Sequence, residues 1–330
     1  REEIIEAAKK YYGKDYLAFY SLQNLKSSKE KVNKPNFEPV VSNNEVMSSY
    51  ASDFYKIKDE NAKIDFIDFN TDVTHRPMNG SHDFYHTNNP KNDIFTLTIE
   101  YEVGTEKIPM LNYVSTIMNF AGTESLTAKT LQDTFNYYNI SYSFNASGEK
   151  TSIRFEGLEE NLIEALPLIN DLLNSPTLEE KNIKTIVQAE KSQRKLEKTE
   201  ADEMASALLE YMRFGEKSTY LNRLTLKEIK KLEPEQLINA YKQILSYKAN
   251  IHYVGQRLAE EIEPLLIESI PLSEIPKMIE AHEHKQTKMY ESNTVFFVDK
   301  KNARQSKVFL MLNEFPFHQD MTADINAFNL

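Results

Sequence analysis

Asp93-Ile-Phe-Thr-Leu-Thr-Ile-Glu-Tyr-Glu-Val103 alternates with period two. Phe95, Leu97, Ile99 and Tyr101 share one face, and Thr96, Thr98 and Glu100 the other. That is the pattern of a strand with one buried and one wet face. Such a strand needs partners, and the sequence after it supplies them. Pro109 suits the first turn of a helix whose apolar positions, Met110, Val114, Ile117, Met118 and Ala121, recur at helical spacing until Gly122. A second helix is expected after Thr127, burying Leu131, Phe135 and Tyr138. Two more strands, Ile140–Asn145 and Thr151–Phe155, are joined by Ser147-Gly-Glu-Lys150, a hairpin signal.

Helices dominate the stretch after this hairpin. The segment Asn161–Asn174 carries Leu162, Leu166, Ile169 and Leu173 on one stripe and stops at Pro176. Thr177-Leu-Glu-Glu180 has the form of a capping box and predicts a long helical run to about Phe214. A second box, Thr225-Leu-Lys-Glu228, precedes a helix opened by Pro234 and running to about Leu245. Lys248–Gly255 closes the domain as a strand. Strands first, a hairpin next and helices grouped afterwards predict an α+β fold, an antiparallel sheet packed by helices.

Outward from this core, residues 1–25 read as the tail of a preceding domain: a helix over Arg1–Tyr12 stopped by Gly13, then a short strand at Tyr16–Leu22. Residues 26–65 are polar, carry Pro35 and Pro39, and form a linker by composition, with one short helix near Asn44–Tyr55. The main domain spans 66–272 and a charged connector 273–291. Residues 292–330 are expected to begin a further domain of the same kind with strands at Thr294–Asp299 and Gln305–Leu312, the chain stopping inside its first helix. Arg1 opens directly into a helical pattern, so both ends are expected to be cuts in a longer chain.

Composition excludes several kinds of chemistry. A net charge of −11 opposes nucleic acid as a partner, because phosphate binding needs a basic face. An acidic surface can steer cationic peptides, although solubility alone accounts for it. No run of 18 apolar residues predicts a membrane span. The absence of cysteine removes disulfides, thiolate nucleophiles and Cys-based zinc sites together. No G-x-S-x-G elbow or Gly-rich phosphate loop is present.

The order of elements carries a resemblance. Asn92-Asp-Ile-Phe, Tyr101, Gly104-Thr105, Ala121-Gly-Thr123, Ser141-Tyr-Ser-Phe-Asn-Ala146 and Gly157-Leu-x-Glu-Asn-Leu162 succeed one another in turn. Asp171-Leu-Leu-Asn-Ser-Pro176 and Tyr220-Leu-Asn-Arg-Leu-Thr225 complete the series. Together they resemble one domain of the pitrilysin/insulinase-type (inverzincin) zinc metallopeptidases, in the C-terminal, non-catalytic half of a long four-domain bacterial member. Tyr11-Tyr-Gly-Lys-Asp-Tyr-Leu17 is similar to the end of that family's second domain, and Lys34-Pro-Asn-Phe-Glu-Pro39 to its interdomain linker.

The resemblance implies peptide-bond hydrolysis by zinc held on H-x-x-E-H and a distant Glu. On the helix after Pro109, Tyr113 and Ile117 stand where the His ligands belong, and Thr116 where the general base belongs. None of the three can do that work. Glu190 falls near the place of the third ligand, but one carboxylate cannot hold zinc, and a solvated acid is its preferred reading. No residue of the chain is therefore assigned a catalytic, cofactor-binding or metal role. Zinc is expected in the parent enzyme only.

Other histidines offer weaker candidates. In Glu280-Ala-His-Glu-His284 the two imidazoles are two residues apart, on opposite sides of any helix. His75, His82 and His86 lie among Pro77, Gly80 and Pro90, which favours a turn with exposed imidazoles over a loop metal site. His252 stands alone on a strand and is read as packed or half-exposed.

Three functions are compatible with this pattern. The preferred one is a non-catalytic segment of a zinc metalloendopeptidase, walling a substrate chamber and clasping the catalytic half. The second is a standalone inert partner or peptide-binding subunit of a two-chain peptidase. The third is a hydrolase with a metal at His75, His82 and His86. Implied partners are the catalytic half or a sister subunit, and peptide substrates. The compartment is open in the sequence, with a periplasmic or otherwise exported setting favoured.

Overall fold

The computed structural model describes residues 2–20, 33, 36, 46–57, 68–280, 285–301, 306–311, 318, 321–322 and 325–326. The chain divides into two compact units, residues 1–65 and 66–330. In the first, helix α1 (Glu2–Tyr11) has acidic residues in its first turn and lysines in its last, which suits the helix dipole. Helix α2 (Ser49–Phe54) is capped by the Ser48 hydroxyl, which accepts from the Ala51 amide. The strand expected at Tyr16–Leu22 is not formed over its described residues, 16–20.

In the second unit, a six-stranded sheet runs β1 (Val73–Met78), β2 (His82–Asn88), β3 (Ile94–Tyr101), β5 (Ile140–Ala146), β6 (Thr151–Leu158) and β8 (Ala249–Gly255), in the spatial order β1-β2-β8-β3-β6-β5. Phe95, Leu97, Ile99 and Tyr101 are all buried, as the alternation predicts. The sheet is antiparallel, as expected, at every pairing but one: β2 and β8 are parallel. The turn at residues 89–93 sends β3 back against the direction of β2 while leaving a strand's width between them. β8 fills that gap, so it is antiparallel to β3 and must be parallel to β2.

The helices are α3 (Leu111–Met118), α4 (Ala128–Tyr137), α5 (Leu162–Asn174), α6 (Glu180–Thr199), α7 (Ala201–Phe214), α8 (Thr219–Asn222), α9 (Leu226–Ile229), α10 (Pro234–Ile244) and α11 (Ala259–Ser269). A two-residue ladder joins β4 (Gly122–Thr123) to β7 (Pro176–Thr177). That ladder displaces one expected cap. Thr177 pairs with Gly122 and donates its hydroxyl to the Thr123 carbonyl, so α6 starts later, after Glu179, whose amide is capped by Asn182 at 2.7 Å. Thr225 does cap α9, and Pro234 does open α10.

The long run to Phe214 is broken at Glu200, whose φ of −92° and ψ of 132° are extended. The β1–β2 hairpin and α11 lie where the sequence pattern predicts no regular element. Thr294–Asp299 and residues 306–311, expected as strands, form no ladder over the described residues. Among the described residues no helix is long and apolar enough to cross a membrane.

Candidate functional site

Helix α3, which by resemblance takes the place of a metal-binding helix, packs against α6, and its Tyr113 faces Glu190. The α3 residues in question go three ways. Ile117 is 1% exposed and belongs to the hydrophobic core, where it offers no donor atom. Thr116 is exposed and turns its hydroxyl back to the Asn112 carbonyl at 3.4 Å. Tyr113 is buried and its phenol faces Glu190, Arg194 and Arg223. Burial raises its pKa above the usual value for tyrosine, Glu190 adds to the rise and Arg194 opposes it. A phenol held protonated this way is a poor metal ligand.

The Glu190 carboxylate is occupied by a fixed cation. Arg194, one turn along α6, donates to it through Nε at 2.9 Å, and through Nη2 to the Leu224 carbonyl at 2.5 Å. Two neighbouring acids are treated alike. Glu197 receives both terminal nitrogens of Arg223, whose guanidinium lies 5.3 Å from the Tyr220 ring centroid. The hydrogen bonds from Arg223 hold the Glu197 pKa below the usual carboxylate value, against the effect of burial. Burial alone would push Glu210 up, but Thr219, through amide and hydroxyl at 2.7 Å, and Lys285 at 3.0 Å hold it low.

Tyr113, Thr219, Arg223 and Lys285 border a cleft of about 700 Å³ between the Thr105–Tyr113 segment and the Glu216–Leu224 segment, and with Glu190, Glu197 and Glu210 they line an adjoining pocket of about 540 Å³. The lining of the cleft mixes apolar Ile108, Met110 and Leu224 with side chains of both charges, Glu216, Lys217 and Arg223 among them. Zinc does not fit these side chains: one ligand position holds a hydrocarbon in the core, the other a buried phenol, the general-base position holds an exposed alcohol, and the Glu190 carboxylate is already neutralised by arginine. Among the described residues no three His, Cys, Asp or Glu side chains gather as a metal-binding group. Glu197 and Glu210, held low by their partners, are weak bases and poorly suited to proton abstraction.

Sequence reasoning singles out Tyr113, Thr116, Ile117 and Glu190 but misses Arg194, Glu197, Glu210, Arg223 and Lys285. The four-residue spacing of Glu190 and Arg194 is a readable helix pair. Glu197 with Arg223, and Glu210 with Lys285, are too distant in sequence to leave a local signal.

The histidines correct an expectation. His82 and His86 are 1% and 8% exposed, not exposed imidazoles on a turn, because β2 alternates them with Phe84 on the core face. His82 accepts from the Ala249 amide through Nδ1 at 2.9 Å and donates through Nε2 to the Ser273 carbonyl at 2.8 Å. The His86 Nε2 lies 2.7 Å from the Arg257 carbonyl.

His75 lies on the opposite, wet face, paired with Asp83 at 2.7 Å, so the three histidines do not converge. There His75 stacks on Tyr85 at 4.6 Å and Tyr85 on His252 at 4.8 Å, making a row across three strands. His252 is half-buried, as expected. His282 and His284 lie outside the described residues.

Comparison with known proteins places this fold. Residues 112–237 match the sequence model of the insulinase family, peptidase family M16. The inactive domain of a peptidase M16 from Pseudomonas fluorescens superposes with a TM-score of 0.54 at 15% identity, over 63% of this chain and 53% of that one. The periplasmic protease PqqL from Escherichia coli gives 0.58 at 14% identity, over 89% of this chain and 30% of that one. The ferredoxin protease FusC, solved with Arabidopsis ferredoxin, gives 0.56 at 13% identity, over 87% and 30%. The chain thus spans about half the length of the first and under a third of the other two. No curated protein matches the sequence. Residues 112–237 thus match the insulinase (M16) peptidase family, and they lie on a six-stranded sheet packed by helices, a fold shared with these peptidase structures.

Proposed function

We propose that this chain is a non-catalytic segment of a zinc-dependent metalloendopeptidase. Its role would be to form part of the wall of a substrate chamber and to clasp a catalytic half that carries H-x-x-E-H. One observation carries the reading: in the place of the metal helix Ile117 is a core residue, Tyr113 is a buried phenol, and Arg194 neutralises Glu190. A cation built into the protein thus satisfies the carboxylate that a metal would need. The cleft beside it, lined by both apolar and charged side chains, suits passing polypeptide better than one tightly held small molecule.

In this reading residues 26–65 are a linker, 66–272 the peptidase-like domain, 273–291 a connector and 292–330 the start of a further domain. PqqL is named as periplasmic, which supports an exported setting for the parent. The partner is a catalytic half, in the same polypeptide or as a sister subunit, and zinc belongs to that half.

The test is a long fluorogenic peptide offered to this chain alone and to the chain joined with an H-x-x-E-H half. Cleavage is expected only in the joined form. Chelator-sensitive cleavage by the chain alone contradicts the proposal. Recovery of the catalytic half as a separate, bound polypeptide would select the two-chain version.

A further inference from the structure

Among the described residues strand β5 is at the margin of the sheet, with β6 on one side only. A marginal strand turns N–H and C=O groups outward, and these form a template for an added strand. On β5 one such pair is already taken. Asn119, at the C-cap of α3, accepts from the Phe144 amide at 2.9 Å and donates to the Phe144 carbonyl at 3.3 Å. Its carboxamide offers Phe144 the same acceptor and donor that a residue of a neighbouring strand would offer. Asn119 is itself anchored, because Nδ2 also donates to the Ser115 carbonyl at 2.7 Å.

Register decides what this contact closes. In an antiparallel pair, residues alternate between bonding the partner strand and facing away from it. Phe144 faces away from β6, so Ile140, Tyr142 and Ala146 do as well, and Ser141, Ser143 and Asn145 face β6. Past Ala146 the hairpin turn is held by other backbone: the Thr105 and Glu106 amides donate to the Ser147 and Gly148 carbonyls at 2.7 and 2.9 Å. Upstream of Phe144 the outward positions are Ile140 and Tyr142 alone, too short a run for an ordinary strand of about five or six residues. The opposite margin, β1, carries Pro77, which has no N–H to give.

We propose that Asn119 is a built-in plug that closes β5 to an added strand, so that extended polypeptide is not captured at this margin of the sheet. The plug rests on the fold and not on the functional assignment above, and its failure would leave that assignment standing.

The test uses the whole chain and a fluorescein-labelled peptide copying β6, residues 151–158, whose side-chain pattern already pairs with β5. Asn119→Ala removes both bonds to Phe144. By fluorescence anisotropy it is expected to bind the peptide about tenfold more tightly than the unaltered chain, the gain of two backbone hydrogen bonds. A gain above about threefold supports the plug and a smaller one overturns it. Amide exchange on the unaltered chain covers the case in which Asn119→Ala fails to fold. The Phe144 amide is expected to exchange more slowly than that of its outward-facing neighbour Tyr142, and equal rates overturn the plug.

Discussion

Arg223→Met is the most informative single perturbation of the cleft. The Arg223 guanidinium meets the Glu197 carboxylate through both terminal nitrogens, and the two side chains are 28% and 10% exposed. Exposed pairs contribute about 0–1 kcal/mol, whereas removing one partner of a fully buried pair costs about 3–5 kcal/mol. Glu197 is nearly covered and Arg223 is open on one side, so the loss is expected between these limits, at about 2–3 kcal/mol. Methionine keeps most of the aliphatic stem over Tyr220, so the loss is chiefly electrostatic.

A double-mutant cycle in urea at pH 7, with Glu197→Gln as the second change, isolates the coupling, expected at about 2 kcal/mol. The pH dependence comes from the depressed Glu197 pKa. A carboxylate whose folded pKa lies below its usual 4.5 contributes stability that is fully present above pH 4.5 and lost as pH falls through the folded value. The unaltered chain should therefore lose stability below pH 4.5 more steeply than Arg223→Met. A coupling below about 0.5 kcal/mol, or parallel pH profiles, would refute the claim that the cations neutralise these acids in the folded state.

Two further perturbations test the frame around the site. Gly104→Ala places a Cβ 2.3 Å from the Ser147 carbonyl and 2.5 Å from the Lys150 amide nitrogen, both backbone atoms. It is expected to cost about 1–3 kcal/mol in urea denaturation by forcing the β5–β6 turn away from Thr105, and a neutral result would contradict that close approach. For His252, burial lowers the pKa below 6.5, with Glu100 opposing and Lys150 adding. The unfolded chain then binds the proton more readily, so this contribution is fully present above pH 6.5 and lost as pH falls through the folded value. His252→Phe, which keeps the stack on Tyr85, should show a smaller drop in Tm between pH 7.5 and 5.5 than the unaltered chain; an equal drop would count against it.

The sheet was legible wherever one face is apolar and the other polar. Phe95 to Tyr101 and the two arms of the Ser147–Lys150 hairpin declared themselves by alternation. The β1–β2 hairpin did not, because its core face is built from His82, Phe84 and His86, and buried histidines look polar in a sequence. Pro77 and Gly80 also suggested a loop, whereas Pro77 lies on a marginal strand and Gly80, at φ +80°, in the hairpin turn. The break at Glu200 has no Gly or Pro to announce it. The expectation that Tyr113, Thr116 and Ile117 stand where a metal site would lie comes from resemblance alone. The ion pairs beside them could not be read, since Arg223 reaches Glu197 across 26 residues and Lys285 reaches Glu210 across 75. Side chains brought together by packing leave no local pattern.

The most direct test of the central claim is the zinc content of this chain after equilibration with the ion and removal of the free metal, measured by plasma mass spectrometry. With Ile117 in the core and Glu190 held by Arg194, far less than one zinc per chain is expected. One tightly held zinc per chain, lost on Tyr113→Phe or Glu190→Gln, would contradict the account.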